Sequence, residues 1–591
     1  MEKQNASMKK YLFILIMSAV STLTKAQFPA NIYADSAHAP FIHGVCSGDP
    51  TDSSLIIWTY IEPEADSFSM SLIWQISSDT SFTNIIQSGS IQTDSLLDYT
   101  VKIDVPSLSA GSVYYYRFLD YNGNSSIWGR GKTLPSGNIA SAKIAAMSCS
   151  SIFSGFFNAY RRIAERDDLQ LVVHLGDYIY DFVDANEEVR VPNPYPVDCE
   201  TRSEWIDRHK YYLLDPDLRE ARRMQSWYAY WDNHDIDSDS AYVKEIFRRW
   251  LPIRETPEVA QNLLYRSLKI GVLADITMLD VESLRNIDTF PNGEYNLMGN
   301  QQFEWATQIL KNSNTRWHLM GSQKMAGGWY TRGIDPGLLN LVPNDGDVFD
   351  NSSWDGFDET RNRLYDTLIV HNIDNCLMLS GDAHITMAMD LVKDPYDSIA
   401  YNAATGSGAL GCEFLPSSVT RGNFDESGVP ASLSPFFMGI TLAANPHHQH
   451  MEINSHGYGL IEIFQDSIVA TPYYSDILTQ TNVETAGQRL IMKNATNHWE
   501  RIVSSNANIQ NDIAVEIFPN PANDKIFVKL PELNGAVTKI KIYNNLGQLL
   551  SEKLLSQSAE IPVNELQNGL YYLVFEQSAK KRYASKLHIS R

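Results

Sequence analysis

Residues 171–181 read LVVHLGDYIYD. An apolar run about as long as a buried strand stops at Gly176. A carboxylate, Asp177, follows at once, and a phenol, Tyr180, comes three residues later. Taken alone, this is a strand closing in a polar turn, because Asp after Gly is an ordinary turn former. Three more strand ends in the same part of the chain point further. KIAAMSCS (143–150) places Cys149 at its tip. SWYAYWDNHD (226–235) closes on Asn233, His234 and Asp235, with Asp237 and Asp239 just beyond. NCLMLSGDAH (375–384) closes on Asp382 and His384. Helical stretches such as GFFNAYRRIAERDD (155–168) and NQQFEWATQILKNS (300–313) separate these strands. Strand, helix, strand in alternation predicts a layered α/β domain, assigned to 137–500. Open sheets of that kind bind ligands beyond the carboxyl ends of their strands. Four strand ends carrying Cys, Asp and Tyr, Asn and His, and Asp and His should therefore meet at one edge.

Such a set has a specific chemistry. Thiolate and phenolate are strong anionic donors and suit a ferric ion better than magnesium, while thiolate also accepts zinc. Asp177 can bridge two cations, and the oxygen-rich surroundings at Asn233 suit a harder second ion such as calcium. Two ions about 3.5–4 Å apart can clamp a phosphoryl group and generate hydroxide at neutral pH. His234 can then protonate the leaving oxygen, with Asp235 as the residue that orients its ring.

The flanks differ in pattern. In 27–136, SLIIWTYI (54–61), SMSLIWQIS (69–77), DYTVKIDV (98–105) and VYYYRFLDY (113–121) alternate or run apolar between turn residues, which predicts a β-sandwich of immunoglobulin-like size. Short strands return in 508–591 and predict a second, smaller β-sandwich, preceded by a polar linker over 494–512. At the N-terminus, Lys9 and Lys10 precede the apolar YLFILIMSAV (11–20) and the small-residue STLTKA (21–26), so 1–26 reads as a secretory signal peptide. No other run reaches about 18 apolar residues, and no membrane span is expected in the mature protein. The chain of 591 residues carries a formal net charge of −23, which argues against a nucleic-acid-binding surface. Of five cysteines, Cys46 and Cys376 lie in apolar runs and read as buried small hydrophobes. A Cys199–Cys412 disulfide is compatible with export but not specified by the sequence.

GDYIY (176–180), DNHD (232–235) and GDAH (381–384) resemble the motifs of calcineurin-like metallophosphatases, with Asp382 where those enzymes carry the first His of GHxH. Together with Cys149 in SCS, they look like the PhoD alkaline phosphatase family. GVCSGDP (44–50), LMGNQQFEW (297–305), WDGF (354–357) and NPHHQH (445–450) agree. The resemblance implies a β-sandwich followed by an α/β/β/α catalytic domain that hydrolyses phosphate esters with Fe(3+) and Ca(2+). It implies Cys149, Asp177, Tyr180 and His384 around the ferric ion, Asp177 bridging, and Asn233 and Asp382 at or beside the second metal. His234 takes the place of the motif's histidine. The family often has Asp at the place of Asn233, and commonly Asp-Thr-Arg where this chain reads Asp280, Val281 and Glu282. The superfamily's histidine after the strand WHLMGS is absent, leaving Ser322 or Gln323 in its place.

FPNPANDKI (518–526), IYNNLGQLL (542–550) and LQNGLYYLVF (566–575) resemble the type A sorting domain of the type IX secretion system. The reading is therefore a secreted or surface phosphohydrolase, exported through the periplasm and handled by that machinery, acting through metal-bound hydroxide at a dinuclear site. A phosphodiesterase or phospholipase-like enzyme with little monoesterase activity is the alternative, and behind it a non-catalytic surface binding protein.

Overall fold

The structure is a computed structural model that describes residues 31–64, 68–182, 187–194, 198–236, 240–332, 348–427, 431, 434–502, 516–529, 538–544, 549–578 and 581–591. The predicted signal peptide, Asp237 and Asp239 lie outside the described residues. The chain divides into two compact units: Met1–Ser434 with Met438–Ile502, and Val503–Arg591 with Pro435–Phe437.

The first unit is dominated by sheets, with few helices. Its first seven strands are β1 (Val45–Gly48), β2 (Leu55–Tyr60), β3 (Ser69–Ser77), β4 (Ile85–Asp94), β5 (Thr100–Val105), β6 (Val113–Asp120) and β7 (Gly129–Lys132). They do not close into a separate sandwich as the sequence suggested. β3, β4, β6 and β7 form a four-stranded sheet. β1, β2 and β5 join the large sheet of the following region, because β1 pairs in parallel with β10 (Ser226–Ala229). The reason is visible in the side chains. Every residue of β1 and β2 is buried, so both faces are covered, whereas β6 alternates buried and half-buried as a one-sided strand does. Leu55 and Ile57 still pack with Leu72, Ile76 and Tyr116 across the gap between the two sheets.

The large sheet centres on β8 (Ser141–Met147), β9 (Leu171–His174) and β10, which run parallel. A seven-stranded sheet contains β11 (Arg266–Ile270) and β12 (Ala274–Met278). After the ribbon of β13 (Asp288–Thr289) and β14 (Tyr295–Asn296), it continues with β15 (Trp317–Ser322), β16 (Cys376–Ser380), β17 (Thr386–Leu391), β18 (Gly411–Leu415) and β19 (His448–Glu452). Period-two alternation assigns its faces. Leu319, Leu377 and Leu379 pack in one core with Ile144, Val172 and Val173 of the large sheet. Met320, Cys376 and Met378 pack in a second core with Leu310 of helix Asn300–Asn312 and Leu364 and Leu368 of helix Asp358–His371.

The large sheet is completed by β20 (His456–Phe464), β21 (Ser467–Ser475), β22 (Thr485–Ala486), β23 (Leu490–Lys493) and β24 (Trp499–Arg501). Residues 494–502 are thus not linker. Trp499 is buried and its indole N–H donates to Glu413 O at 2.9 Å, an anchor that the polar composition around it concealed. All five cysteines are free, so Cys199 and Cys412 are not bridged, and Cys46 and Cys376 are buried as expected.

The second unit has its own core of Ile526, Val528, Ile540, Ile542, Ile561, Leu573 and Leu587. Sheets of three and four antiparallel strands supply it.

Candidate metal centre

Three parallel strands of the large sheet, β8, β9 and β10, and two of the other sheet, β15 and β16, end near one place. Backbone hydrogen bonds knit the loops that follow them. The Cys149 N–H donates to Gly176 O at 3.2 Å, the Ser150 N–H to Asp177 O at 2.9 Å, and the Gly381 N–H to both Ser322 O and Gln323 O at 3.2 Å. Close approach demands the glycine at 176. Its φ is +114°, and a Cβ there would lie 2.6 Å from the Cβ of Asp232. Cys149, Asp177, Asp382 and His384 all have φ between 54° and 67°. Non-glycine residues in this region cost on the order of 1–3 kcal/mol each, and persist where the surroundings over-determine them. Here the strained residues are the donors themselves.

Sγ of Cys149, a carboxylate oxygen of Asp177 and a ring nitrogen of His384 lie within 4.8 Å of one another. The Tyr180 hydroxyl donates to Asp177 Oδ2 at 2.9 Å and sits 3.4 Å from His384 Nε2, while Cys149 Sγ is 3.7 Å from the same Asp177 oxygen. His384 Nδ1 is 2.9 Å from Gly422 O. That carbonyl holds the proton on Nδ1 and leaves Nε2 as the nitrogen with a lone pair to offer a metal. Burial lowers the imidazole to about 4, so it is neutral and able to coordinate. Burial, and then the charge of Asp177, push the Cys149 thiol and the Tyr180 phenol well above their ordinary values. Neither becomes an anion at neutral pH without a cation beside it, and a bound cation reverses that balance. Thiolate, phenolate, carboxylate and imidazole converging in a buried pocket fit a ferric ion.

A second cluster shares Asp177. Its carboxylate oxygens lie within 4.8 Å of those of Asp232 and Asp382. Asp232, the residue before Asn233 in the same motif, was not singled out in the sequence. The side chain of Asn233 reaches this place too, and its Oδ1 accepts from Lys324 Nζ at 3.0 Å, as oxygens of Asp232 and Asp382 do. Ser322 and Gln323, at the place of the superfamily's histidine, are both hydrogen-bonded within the protein. The Ser322 hydroxyl donates to Lys324 O at 2.6 Å and accepts from Trp354 Nε1 at 3.1 Å, and Gln323 Oε1 accepts from the Val281 N–H at 3.0 Å.

His234 lies at the rim, half-buried, with its backbone N–H donating to Asp177 Oδ1 at 3.2 Å. The partner that orients its ring is Asp181, 2.8 Å from Nδ1, and not Asp235. Asp235 is fully buried. Its carboxylate accepts the backbone N–H groups of Tyr178, Ile179 and Asp232 at 2.9–3.1 Å, so it shapes the two loops instead. The correction follows from direction: successive residues in a tight turn point apart, while Asp181 returns from the neighbouring loop. Burial disfavours the charged imidazole, but the charge of Asp177 and the hydrogen bond and charge of Asp181 outweigh it and raise its pKa.

Arg421 was also not foreseen. Its guanidinium lies over the Tyr180 ring, 5.1 Å from the centroid, and pairs with Glu187 at 3.0 Å. No local pattern in the loop that carries it signals the contact. His447, in the NPHHQH stretch, is fully buried with Nε2 held by Gly328 O at 2.7 Å.

Comparison with known proteins agrees with this geometry. Residues 144–246 and 241–471 match the family model described as PhoD-like phosphatase. Residues 26–135 match the N-terminal domain of PhoD-like phosphatases, and 516–590 match a secretion system C-terminal sorting domain. Alkaline phosphatase D of Bacillus subtilis (strain 168) is 26% identical over 439 residues, covering 67% of this chain and 72% of that protein. The solved structure of PhoD matches with a TM-score of 0.67 at 24% identity, covering 79% of this chain and 92% of that one, a likeness of fold.

Proposed function

Because the chain belongs to the PhoD-like phosphatase family and is a phosphoric ester hydrolase, we propose that it cleaves phosphate esters at a two-cation centre anchored on Asp177. The observation that carries this reading is the convergence of Cys149, Asp177 and His384 within 4.8 Å, with the Tyr180 phenol against two of them. These four residues would hold a ferric ion, which supplies Lewis acidity and an activated water when bound. The second cation belongs over Asp177, Asp232 and Asp382. His234, held by Asp181, donates the proton to the departing oxygen. The alternating faces of β15 and β16 support reading the two large sheets as the middle layers of an α/β/β/α domain.

The test is spectroscopic. A phenolate on Fe(3+) gives a visible charge-transfer band. The purified enzyme should be coloured, and Tyr180→Phe should lose the band while keeping the fold. A colourless, iron-free and fully active enzyme would assign the first position to zinc.

The C-terminal unit serves export, through the type IX machinery, to the surface or medium. A chain ending at Ile502 retains the whole catalytic unit. It should hydrolyse aryl phosphates within about twofold of the full-length rate, since the truncation removes none of the residues that form the centre, and it should fail to leave the cell. Loss of activity in a folded truncated chain would contradict this, as would its appearance in the medium of its native host.

A further inference from the structure

We propose that the second cation of this centre is the ammonium of Lys324, not a divalent metal. The inference rests on the two-cation reading above and names what fills its second position. β15 ends at Ser322, and its side chain clamps the Lys324 carbonyl. The lysine then turns into the acidic cluster, its side chain only 5% exposed. Nζ lies 2.7 Å from Asp382 Oδ1, 3.0 Å from Asn233 Oδ1 and 3.1 Å from Asp232 Oδ2. An ammonium has three hydrogens, and three acceptors meet them.

Two of those acceptors are carboxylates that a divalent ion would need. Calcium takes six to eight oxygens at about 2.3–2.6 Å. Asp232 Oδ1 is buried without a partner among the described residues, while Oδ2 already accepts from the lysine. An ion bound to Asp232 and Asp382 would face a positive charge hydrogen-bonded to the same two side chains. Expelling the lysine would leave a buried ammonium without its three partners, which the low-dielectric interior strongly disfavours. The position expected to hold calcium therefore already contains a cation supplied by the chain, within reach of the groups that surround Asp177.

Metal analysis by mass spectrometry and calorimetric titration with calcium chloride test this on the full-length protein. One tightly held metal per chain, no saturable calcium binding and hydrolysis unchanged by EGTA are expected. Lys324→Met should take up about one calcium per chain. It should lose roughly 10²–10³-fold in rate in calcium-free buffer, the usual effect of removing a preorganised charge, and recover with calcium. Two metals per chain in the unaltered protein, or saturable calcium binding by it, overturns the proposal whether or not the variant folds. A folded Lys324→Met protein with full calcium-free activity also overturns it. A protein with no metal and no hydrolysis overturns the underlying reading of the centre, which the first two outcomes leave standing.

Discussion

Asp177→Asn should abolish turnover, lowering kcat by about 10³–10⁴-fold or more, and should release the metal of the first position. The size follows from the number of contacts that converge on one carboxylate. Oδ2 accepts from Tyr180 and lies beside Cys149, Oδ1 accepts from the His234 backbone, and the group belongs to both acidic clusters. An amide keeps the shape and one acceptor but removes the negative charge. Metal-ion charge stabilisation is worth several kcal/mol in the transition state, and each 1.36 kcal/mol is a factor of about ten in rate. The fold should survive, because the Asp177 backbone, not its side chain, accepts from Ser150, and Asn tolerates a φ of 54°. Metal content and kcat measured on the same sample decide the matter. An Asp177→Asn enzyme that keeps stoichiometric metal and loses less than about tenfold in rate would show that Asp177 bridges nothing.

The convergence of Cys149, Asp177, Tyr180 and His384 was legible because each stands at or just after the end of an apolar run, where chain direction alone puts it at the sheet edge. Cys149, Asp177, Tyr180 and His384 needed no knowledge of packing. The residues that escaped reading enter the site from the side. Lys324 lies two residues past the end of β15, in a stretch that reads as the place of an uncharged or imidazole ligand, and nothing local says that its side chain turns inward. Asp181 takes the role expected of Asp235 because turn geometry, not spacing, decides which carboxylate faces the imidazole. The continuation of the large sheet through β1, β2 and β5 was hidden for a related reason. LIIWTY reads as a buried strand, but burial on both faces does not name the neighbour. The parallel pairing of β1 with β10 joins residues about 180 positions apart, a contact that no local pattern encodes.

His234→Ala should lower kcat by roughly 10²–10⁴-fold, the usual contribution of a positioned general acid, while metal content stays near stoichiometric. The imidazole supplies no atom to either acidic cluster. Its ring packs against Tyr180, with centroids 4.2 Å apart, and is tied by Nδ1 to Asp181 at 2.8 Å. That leaves Nε2 as the nitrogen able to give a proton to substrate. Loss should be smaller for aryl phosphates than for alkyl phosphates, because a phenolate leaves with little help from an acid. Asp181→Asn supplies an independent measurement. Asp181 raises the imidazole pKa by hydrogen bond and charge, and an acid works only below its pKa. The activity limb that falls with rising pH should therefore move to lower pH in the Asp181→Asn enzyme. A residue that merely packs would leave that limb where it is. Equal loss on aryl and alkyl esters, together with lost metal, would make His234 a ligand and not the acid.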